Sequence, residues 1–457
     1  MVRGTLDRLL VGLALLVLRG FYRCVEVEGR ERLPRGRPTL IVANHFNGLA
    51  DAAILVHVFG RVPRFLAKAT LWERRWARPF LALAGLLPVQ RRQDAPGTVD
   101  NRQAFARSYE VLSRRRGLVA IFPEGVTHDA PALAPIRTGA ARLALGARAW
   151  GAEGLAIVPV GMAFDDKLAL RSRALARVGW PLDLDEEIDA LVRPGEPADE
   201  TNRAAVQHLT QEIERRLRAV SPDYRDIREA RVLSRAAEIA ERSEHRRGGV
   251  PMVEQEALAQ RLAYAPREVI DELTDALARY HLDLELLGLR DHQLVPGYTA
   301  GQLLVGFLKT AALVALMAPF AVVGAAVHLL PYWLVVATSR AVRKPVMKAT
   351  TRFLVAVAVF PLTWLTVLWL SGQRGLAASV LLLVGLPATG IIAVACFERL
   401  VRARRAWRGW QALRDRRALL DDILANRERL VTAVRTAAEA APARPAATAP
   451  DRRGGAS

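Results

Sequence analysis

Two cysteines in 457 residues, Cys24 and Cys396, set the first limits. They lie far apart and the second falls in an apolar run, so neither a disulfide framework nor a cysteine-rich metal site can be built from them. Such usage is consistent with the cytosol. Lysine is nearly as scarce: Lys68, Lys167, Lys309, Lys344 and Lys348 are all there are, and arginine supplies the rest of the 65 basic residues. Acidic residues number 46, leaving a formal charge of +19. That balance suits nucleic acid, an anionic membrane surface or acidic substrates. No zinc-finger spacing, RNA-binding signature or basic zipper accompanies it, so no nucleic-acid partner is expected.

What is present is unevenly spread. Residues 1–30 carry an apolar core, Leu9 to Leu18, too short to span a bilayer and followed at once by Arg19 and Arg23. No small-residue cleavage site follows, so an interfacial helix is expected rather than a signal peptide. Over 31–185, short apolar runs ("TLIVA" 39–43, "LVAIF" 118–122, "AIVPVG" 156–161) alternate with stretches of helical periodicity. That alternation predicts an α/β domain whose mostly parallel sheet is flanked by helices. Residues 186–298 read as amphipathic helices with charged outer faces and no chemistry. Between 299 and 400 the long apolar runs predict C-terminal transmembrane helices, about four segments in two hairpins, with a turn near Pro319. The basic stretches 340–352 and 398–408 would then both lie on the cytoplasmic side of the cell membrane, with the catalytic domain. Residues 401–457 are expected to be a basic helix and a disordered low-complexity tail.

Four blocks in the α/β half carry the chemistry. In "NHFNGLAD", Asn44, His45, Asn47 and Asp51 follow a strand end, where open α/β sheets hold their sites. A carboxylate that fixes one ring nitrogen leaves the other to take a proton from a hydroxyl. Alone, such a pair is more often a satisfied polar turn and a helix cap. "LPVQRRQD" delivers Arg91 and Arg92, whose guanidinium forks suit a phosphate or form a solvated face. "FPEG" places Glu124 and Gly125 after another strand, with Glu124 holding a polyol hydroxyl or positioning the arginines. "IRTG" brings Arg137, Thr138 and Gly139 to a helix start, whose amides with Arg137 would hold an anion. "IVPVG" could be no more than a core strand with a sheet-edge proline. His128 and Asp129 beside Glu124 invite a metal with His45, but no ligand pair has metal-site spacing, and no metal is expected.

Together and in this order, "NHFNGLAD", "LPVQRRQD", "FPEG" and "IVPVG" resemble the four signatures of the phospholipid and glycerol acyltransferase family, over about residues 37 to 165. The resemblance implies acyl transfer from acyl-CoA or acyl-carrier protein to a hydroxyl of glycerol-3-phosphate, dihydroxyacetone phosphate or a lysophospholipid such as 1-acylglycerol-3-phosphate. His45 would be the base and Asp51 its orienting partner. The acceptor would be bound by Asn44, Asn47, Arg91, Arg92, Glu124, Gly125, Arg137, Thr138 and Gly139. No cofactor is implied beyond the thioester co-substrate, and membrane lipids are the expected surroundings.

The chain departs from the commoner pattern in one place. Five residues rather than four separate His45 from Asp51, and Gly48 is expected to absorb the extra one in a conformation closed to other residues. The longer block resembles the branch that acts on glycerol-3-phosphate or dihydroxyacetone phosphate. Other readings of the same scaffold are an inactive lipid-binding or membrane-organising protein, a lysophospholipid remodelling acyltransferase, and a hydrolase using His45 and Asp51 on water.

Overall fold

A computed structural model describes residues 2–75, 78–91, 100–167, 169–193, 195–243, 249–287, 290–294, 300–342, 345–372, 375–415 and 417–442. Arg92, part of the basic loop at 343–344 and the expected tail from 443 lie outside them. The chain divides into two units, the first ending at Ile227 and the second running from Arg228 to Pro442.

The first unit opens with helix α1 (Val2–Phe21) and strand β1 (Tyr22–Glu28). Then come β2 (Thr39–Ala43), α2 (Leu49–Phe59), β3 (Arg64–Lys68), α3 (Arg78–Leu83) and β4 (Leu87–Val89). Next are α4 (Arg102–Leu112), β5 (Leu118–Ile121), α5 (Gly139–Ala149) and β6 (Ala156–Phe164). The unit closes with β7 (Ser172–Val178), β8 (Leu182–Asp183), α6 (Leu184–Leu191) and α7 (Arg203–Val220). The eight strands form one sheet in the order β1-β7-β6-β2-β5-β3-β4, with β8 also on β6. All pairings are parallel except β6 with β7 and β6 with β8.

β2 lies at the centre, between β5 and β6, and every residue of it is buried. Leu40 and Val42 face a core that includes Leu143 and Leu145 of α5 and Leu209 and Ile213 of α7. Ile41, of opposite parity, is equally buried. A strand covered on both faces needs no polar alternation, which is why "TLIVA" reads as an unbroken apolar run. Each such leucine or isoleucine contributes roughly 1.5–3 kcal/mol by leaving water.

Three expectations change. First, the domain boundary moves from 185 to 227. α6 and α7 give Leu184, Ile188, Leu191, Leu209 and Ile213 to the core under the sheet, so they belong to the first unit rather than to a separate helical segment. Second, Pro159 of "IVPVG" lies in a central strand instead of at a sheet edge. It pairs with Val42 on one side, and on the other falls where the partner of β6 changes from β8, at Ile157, to β7, at Val160. Its carbonyl still accepts from Gly179 N on that side at 2.9 Å. The missing N–H therefore falls in a gap of the ladder, where none is needed.

The third change concerns the apolar region. The second unit consists of α8 (Ile227–Glu241), α9 (Met252–Leu262), α10 (Arg267–Leu287), α11 (Asp291–Leu294), α12 (Ala300–Ala341), α13 (Pro345–Leu370), α14 (Leu376–Asp415) and α15 (Arg417–Ala440). Among the described residues three helices, not four segments, are long and apolar enough to cross a membrane: Leu304–Ala341, Thr350–Leu370 and Leu376–Arg404. The expected turn at Pro319 does not form, and α12 runs through it and through Pro331. The flanks Met317, Ala318, Phe320 and Ala321 bring no turn-forming polar groups. An opened turn there would leave backbone donors and acceptors unpaired in apolar surroundings.

Small residues bring these helices together. A Cβ on Gly324 of α12 would stand 2.1 Å from the Thr389 carbonyl oxygen of α14. His328, one turn on, accepts a hydrogen bond from Trp364 Nε1 of α13 at 2.9 Å and donates through Nδ1 to the Gly324 carbonyl at 2.8 Å. Outside the apolar region, α15 packs against α9 and α10. Arg427 there is 7% exposed and donates to Asp291 Oδ1, the Ile239 carbonyl and Ser243 Oγ.

Candidate active site

The site grows from the carboxyl end of β2. Asn44, the first residue after the strand, is fully buried, and its amide closes a double bond with the backbone of Met162 on β6: Nδ2 donates to the carbonyl at 2.9 Å, and Oδ1 accepts from the N–H at 2.7 Å. This pins the strand end to its neighbour. The chain then turns through Gly48 (φ 58°, ψ −120°), a conformation that strains any residue with a Cβ. Gly48 thus has a conformation closed to other residues, as expected of it. α2 starts at Leu49, which brings Asp51 into its first turn, where the helix dipole favours a carboxylate.

His45 Nδ1 and Asp51 Oδ2 are 2.9 Å apart, and the same oxygen accepts the Asn47 backbone N–H at 2.7 Å. Asp51 is fully buried, whereas the His45 side chain keeps 19% of its exposure. The imidazole stacks on Phe122 at 4.0 Å between centroids. Its backbone N–H donates to Glu124 Oε1 at 2.7 Å. Burial pushes the Asp51 carboxyl up from its ordinary range, with the nearby Glu124 charge adding a little, while the His45 ring and the Asn47 N–H oppose the rise. Among the described residues no group bonds to His45 Nε2. The ring is thus held at one nitrogen and one face, with the second nitrogen left for another partner.

Glu124 is the hub of the "FPEG" turn. Besides His45 N it accepts from Ala134 N at 2.9 Å and pairs closely with His128 Nε2. At 2% exposure its oxygens are occupied by the protein, so the expected contact with a substrate hydroxyl gives way to holding the His45 backbone and the 126–134 loop together. Asn44 and Asn47 change in the same way. The Asn44 amide is taken by Met162, and the Asn47 amide, 3% exposed, donates to Tyr22 Oη at 2.7 Å. Asp129, which invited a metal reading, meets Lys167 Nζ at 2.6 Å instead.

The arginines gather around Gly125, which has φ 71°. Arg91 donates to the Gly125 carbonyl, and the Arg137 guanidinium lies 3.3 Å from the point a Cβ on residue 125 would occupy. Arg137 and Thr138 are exposed at the start of α5, and the Thr138 side chain makes no capping bond, leaving the first-turn amides uncapped by it. Gly139 opens the helix with only Ile121 near its Cβ position. The structure therefore brings His45, Asp51, Glu124, Gly125, Arg91 and Arg137 to one place. Spacing gave no hint of Tyr22, Met162 or Phe122. His128 alone had a local cue as a partner for Glu124, its position four residues after it.

With this geometry in place, comparison with known proteins adds a family. Residues 24–163 match the family model Acyltransferase, so this part of the chain is a domain of that family. Over 203 residues the chain is 29% identical to glycerol-3-phosphate O-acyltransferase 2 of Saccharomyces cerevisiae, covering 43% of this chain and 26% of that protein. It is 34% identical over 124 residues to glycerol-3-phosphate O-acyltransferase 1 of the same yeast, covering 27% of this chain and 16% of that one. The matched region thus spans about a quarter or less of these relatives' length. The crystal structure of the 1-acyl-sn-glycerophosphate (LPA) acyltransferase PlsC from Thermotoga maritima aligns at a TM-score of 0.28 and 20% identity, over 42% of this chain and 71% of that one.

Proposed function

We propose that this acyltransferase-family chain transfers an acyl group from a thioester to a hydroxyl of a glycerol phosphate acceptor, glycerol-3-phosphate first among the candidates. One observation carries the reading: a fully buried Asp51 grips His45 Nδ1 and leaves Nε2 unengaged. His45 takes the proton from the attacking acceptor hydroxyl, and Asp51 holds the ring and steadies the imidazolium. The hydroxyl oxygen bonds to the acyl carbon, the thiolate leaves, and the proton on His45 is passed to the departing sulfur. Arg91 and Arg137, which flank Gly125, supply positive charge for the acceptor phosphate. The names of the yeast relatives favour glycerol-3-phosphate over a lysophospholipid. Acyl-CoA and acyl-carrier protein both remain donors to be assayed.

The test is transfer of labelled acyl groups to glycerol-3-phosphate, dihydroxyacetone phosphate and 1-acylglycerol-3-phosphate in purified membranes, with His45→Ala beside the natural chain. Loss of about 10³-fold or more in kcat supports the base. Undiminished turnover by His45→Ala would sink it, and free fatty acid without acylated lipid would mean hydrolysis instead.

A membrane location follows from the three apolar helices, and the packing around them supports a sidedness. Asn426 and Arg427, after these helices, bond to Asp283, Asp291 and Ile239, before them. Both flanks therefore share one face of the bilayer, and the number of full crossings between them is even. At 42 residues and 1.5 Å per residue α12 is about 63 Å long, roughly twice a hydrocarbon core of about 30 Å. It is thus the helix whose path departs from one simple crossing. The basic stretch after the last apolar helix, 398–408, favours the cytoplasmic side for that shared face. Single cysteines introduced in α9 and in α15 should react with an impermeant maleimide from the same side of oriented vesicles, and opposite sides would refute the even count.

A further inference from the structure

We propose that Tyr22, at the junction of α1 and β1, is a positioning residue for the His45–Asp51 pair. The inference rests on His45 acting as the base. Tyr22 is 5% exposed, its ring lies against Phe164 with centroids 5.9 Å apart, and its Oη accepts from Asn47 Nδ2 at 2.7 Å. Asn47 in turn donates its backbone N–H to the Asp51 oxygen that grips His45, at 2.7 and 2.9 Å. A run of four residues therefore leads from the end of the N-terminal helix to the catalytic ring. Each of its hydrogen bonds is between groups that are buried or nearly so, where geometry is held tightly. Burial and the Asp51 charge both push the Tyr22 phenol up, so it stays a neutral hydroxyl throughout the working range.

The near end of this run is itself clamped. Arg171 has φ 62°, the one non-glycine among the described residues with positive φ. In that conformation its N–H donates to the Phe21 carbonyl at 2.6 Å, and Nη1 donates to the carbonyls of Arg19 at 2.5 Å and Tyr22 at 3.0 Å. Backbone conformations this uncommon persist where surrounding contacts insist on them, and they gather at working parts of proteins. Here the clamp takes up carbonyls at the end of α1 and fixes the backbone of Tyr22. Asn47 alone does not set the loop, because Gly48 beside it lies in a region that glycine adopts freely. Tyr22 supplies the restraint that Gly48 lacks.

The experiment compares Tyr22→Phe, Tyr22→Phe/Asn47→Leu and His45→Ala with the natural full-length chain in purified membranes. Phenylalanine keeps the ring against Phe164 and removes only the hydroxyl. A loss of about 10-fold in kcat is expected with KM nearly unchanged, since a misplaced base lowers turnover rather than binding. The acid limb of the pH–rate profile moves to lower pH, because a carboxylate held less firmly against the ring favours the imidazolium less. The double variant replaces donor and acceptor together, so it should recover melting temperature without recovering kcat. If kcat returns with the melting temperature, or if Tyr22→Phe matches the natural chain in kcat and pH profile, Tyr22 is only structural and the proposal fails. An active His45→Ala would instead fail the base on which it rests, which keeps the two failures apart.

Discussion

The sheet of the first unit and the apolar helices of the second are built inside out relative to each other. In the sheet's core, Leu40, Ile41, Leu143 and Leu145 are fully buried, and the buried charges Asp51 and Glu124 are confined to the site. Along the apolar helices Leu316, Leu330, Trp369 and Leu381 are 69–79% exposed, while Gly324 and Gly390 lie at the helix contacts. One arrangement answers to water and the other to lipid, in which large apolar groups gain nothing by hiding and close packing of small residues brings helices together. The difference also governs how polar groups are used. In the first unit, buried Asn44, Asn47, Asp51 and Glu124 are spent on fixing one histidine. In the apolar region His328 is tied up at both ring nitrogens, by Gly324 and Trp364, and serves as a rivet between helices. Two histidines in one chain thus differ by a single free nitrogen.

Three changes sharpen that contrast. Asp51→Asn should have the largest effect, lowering kcat by about 10²–10⁴-fold because an amide fixes the wrong tautomer. Its stability should respond in the opposite sense. The folded-state pKa of Asp51 is raised, so the folded chain binds more protons than the unfolded chain as pH climbs above the ordinary aspartate range. The natural protein therefore loses stability as pH rises through that window, and the asparagine variant lacks this term. Melting curves taken from pH 4 to 7 should show the difference moving in favour of Asp51→Asn with rising pH. A pH-independent difference would mean that burial does not burden this carboxyl.

Gly324→Leu comes next. Its side chain would run into the Thr389 carbonyl, with no flexible group able to yield, and overpacking of this kind costs about 1–3 kcal/mol. Melting in detergent should fall, while a steady-state assay of the remaining folded protein should give an ordinary kcat. The smallest effect belongs to Trp364→Phe, which removes one interhelical donor and should cost about 0.6 kcal/mol. A much larger loss would mean that His328 does more than join helices.

Much of the first unit could be read in advance from its residues. β2 spans the residues expected of it, β5 lies within one residue of its expected end, and His45 and Asp51 meet as their block suggested. What stayed hidden was the work done by long-range polar contacts. Tyr22 lies 25 residues from Asn47, and Met162 lies 118 from Asn44, distances across which spacing says nothing. Polar residues beside a candidate base look alike in sequence whether they face a ligand or a neighbouring strand. Only burial separates them, and it moved Asn44, Asn47 and Glu124 from the first role to the second. The reading of Pro319 as a turn failed for a related reason. A proline signals a break only where its surroundings can satisfy the backbone that the break exposes.

The Arg427 cluster has a consequence in time. Its partners Ile239 and Asp291 are made 188 and 136 residues before it. At about 5–20 residues per second, a ribosome needs roughly 7 to 27 seconds to travel from Asp291 to Arg427. Throughout that interval Asp291 has Arg242 beside it, at 3.3 Å, but not yet Arg427. All three apolar helices must leave the ribosome before the partner arrives. Completion of the second unit is therefore a late event in synthesis, and α15 acts as its closing stitch.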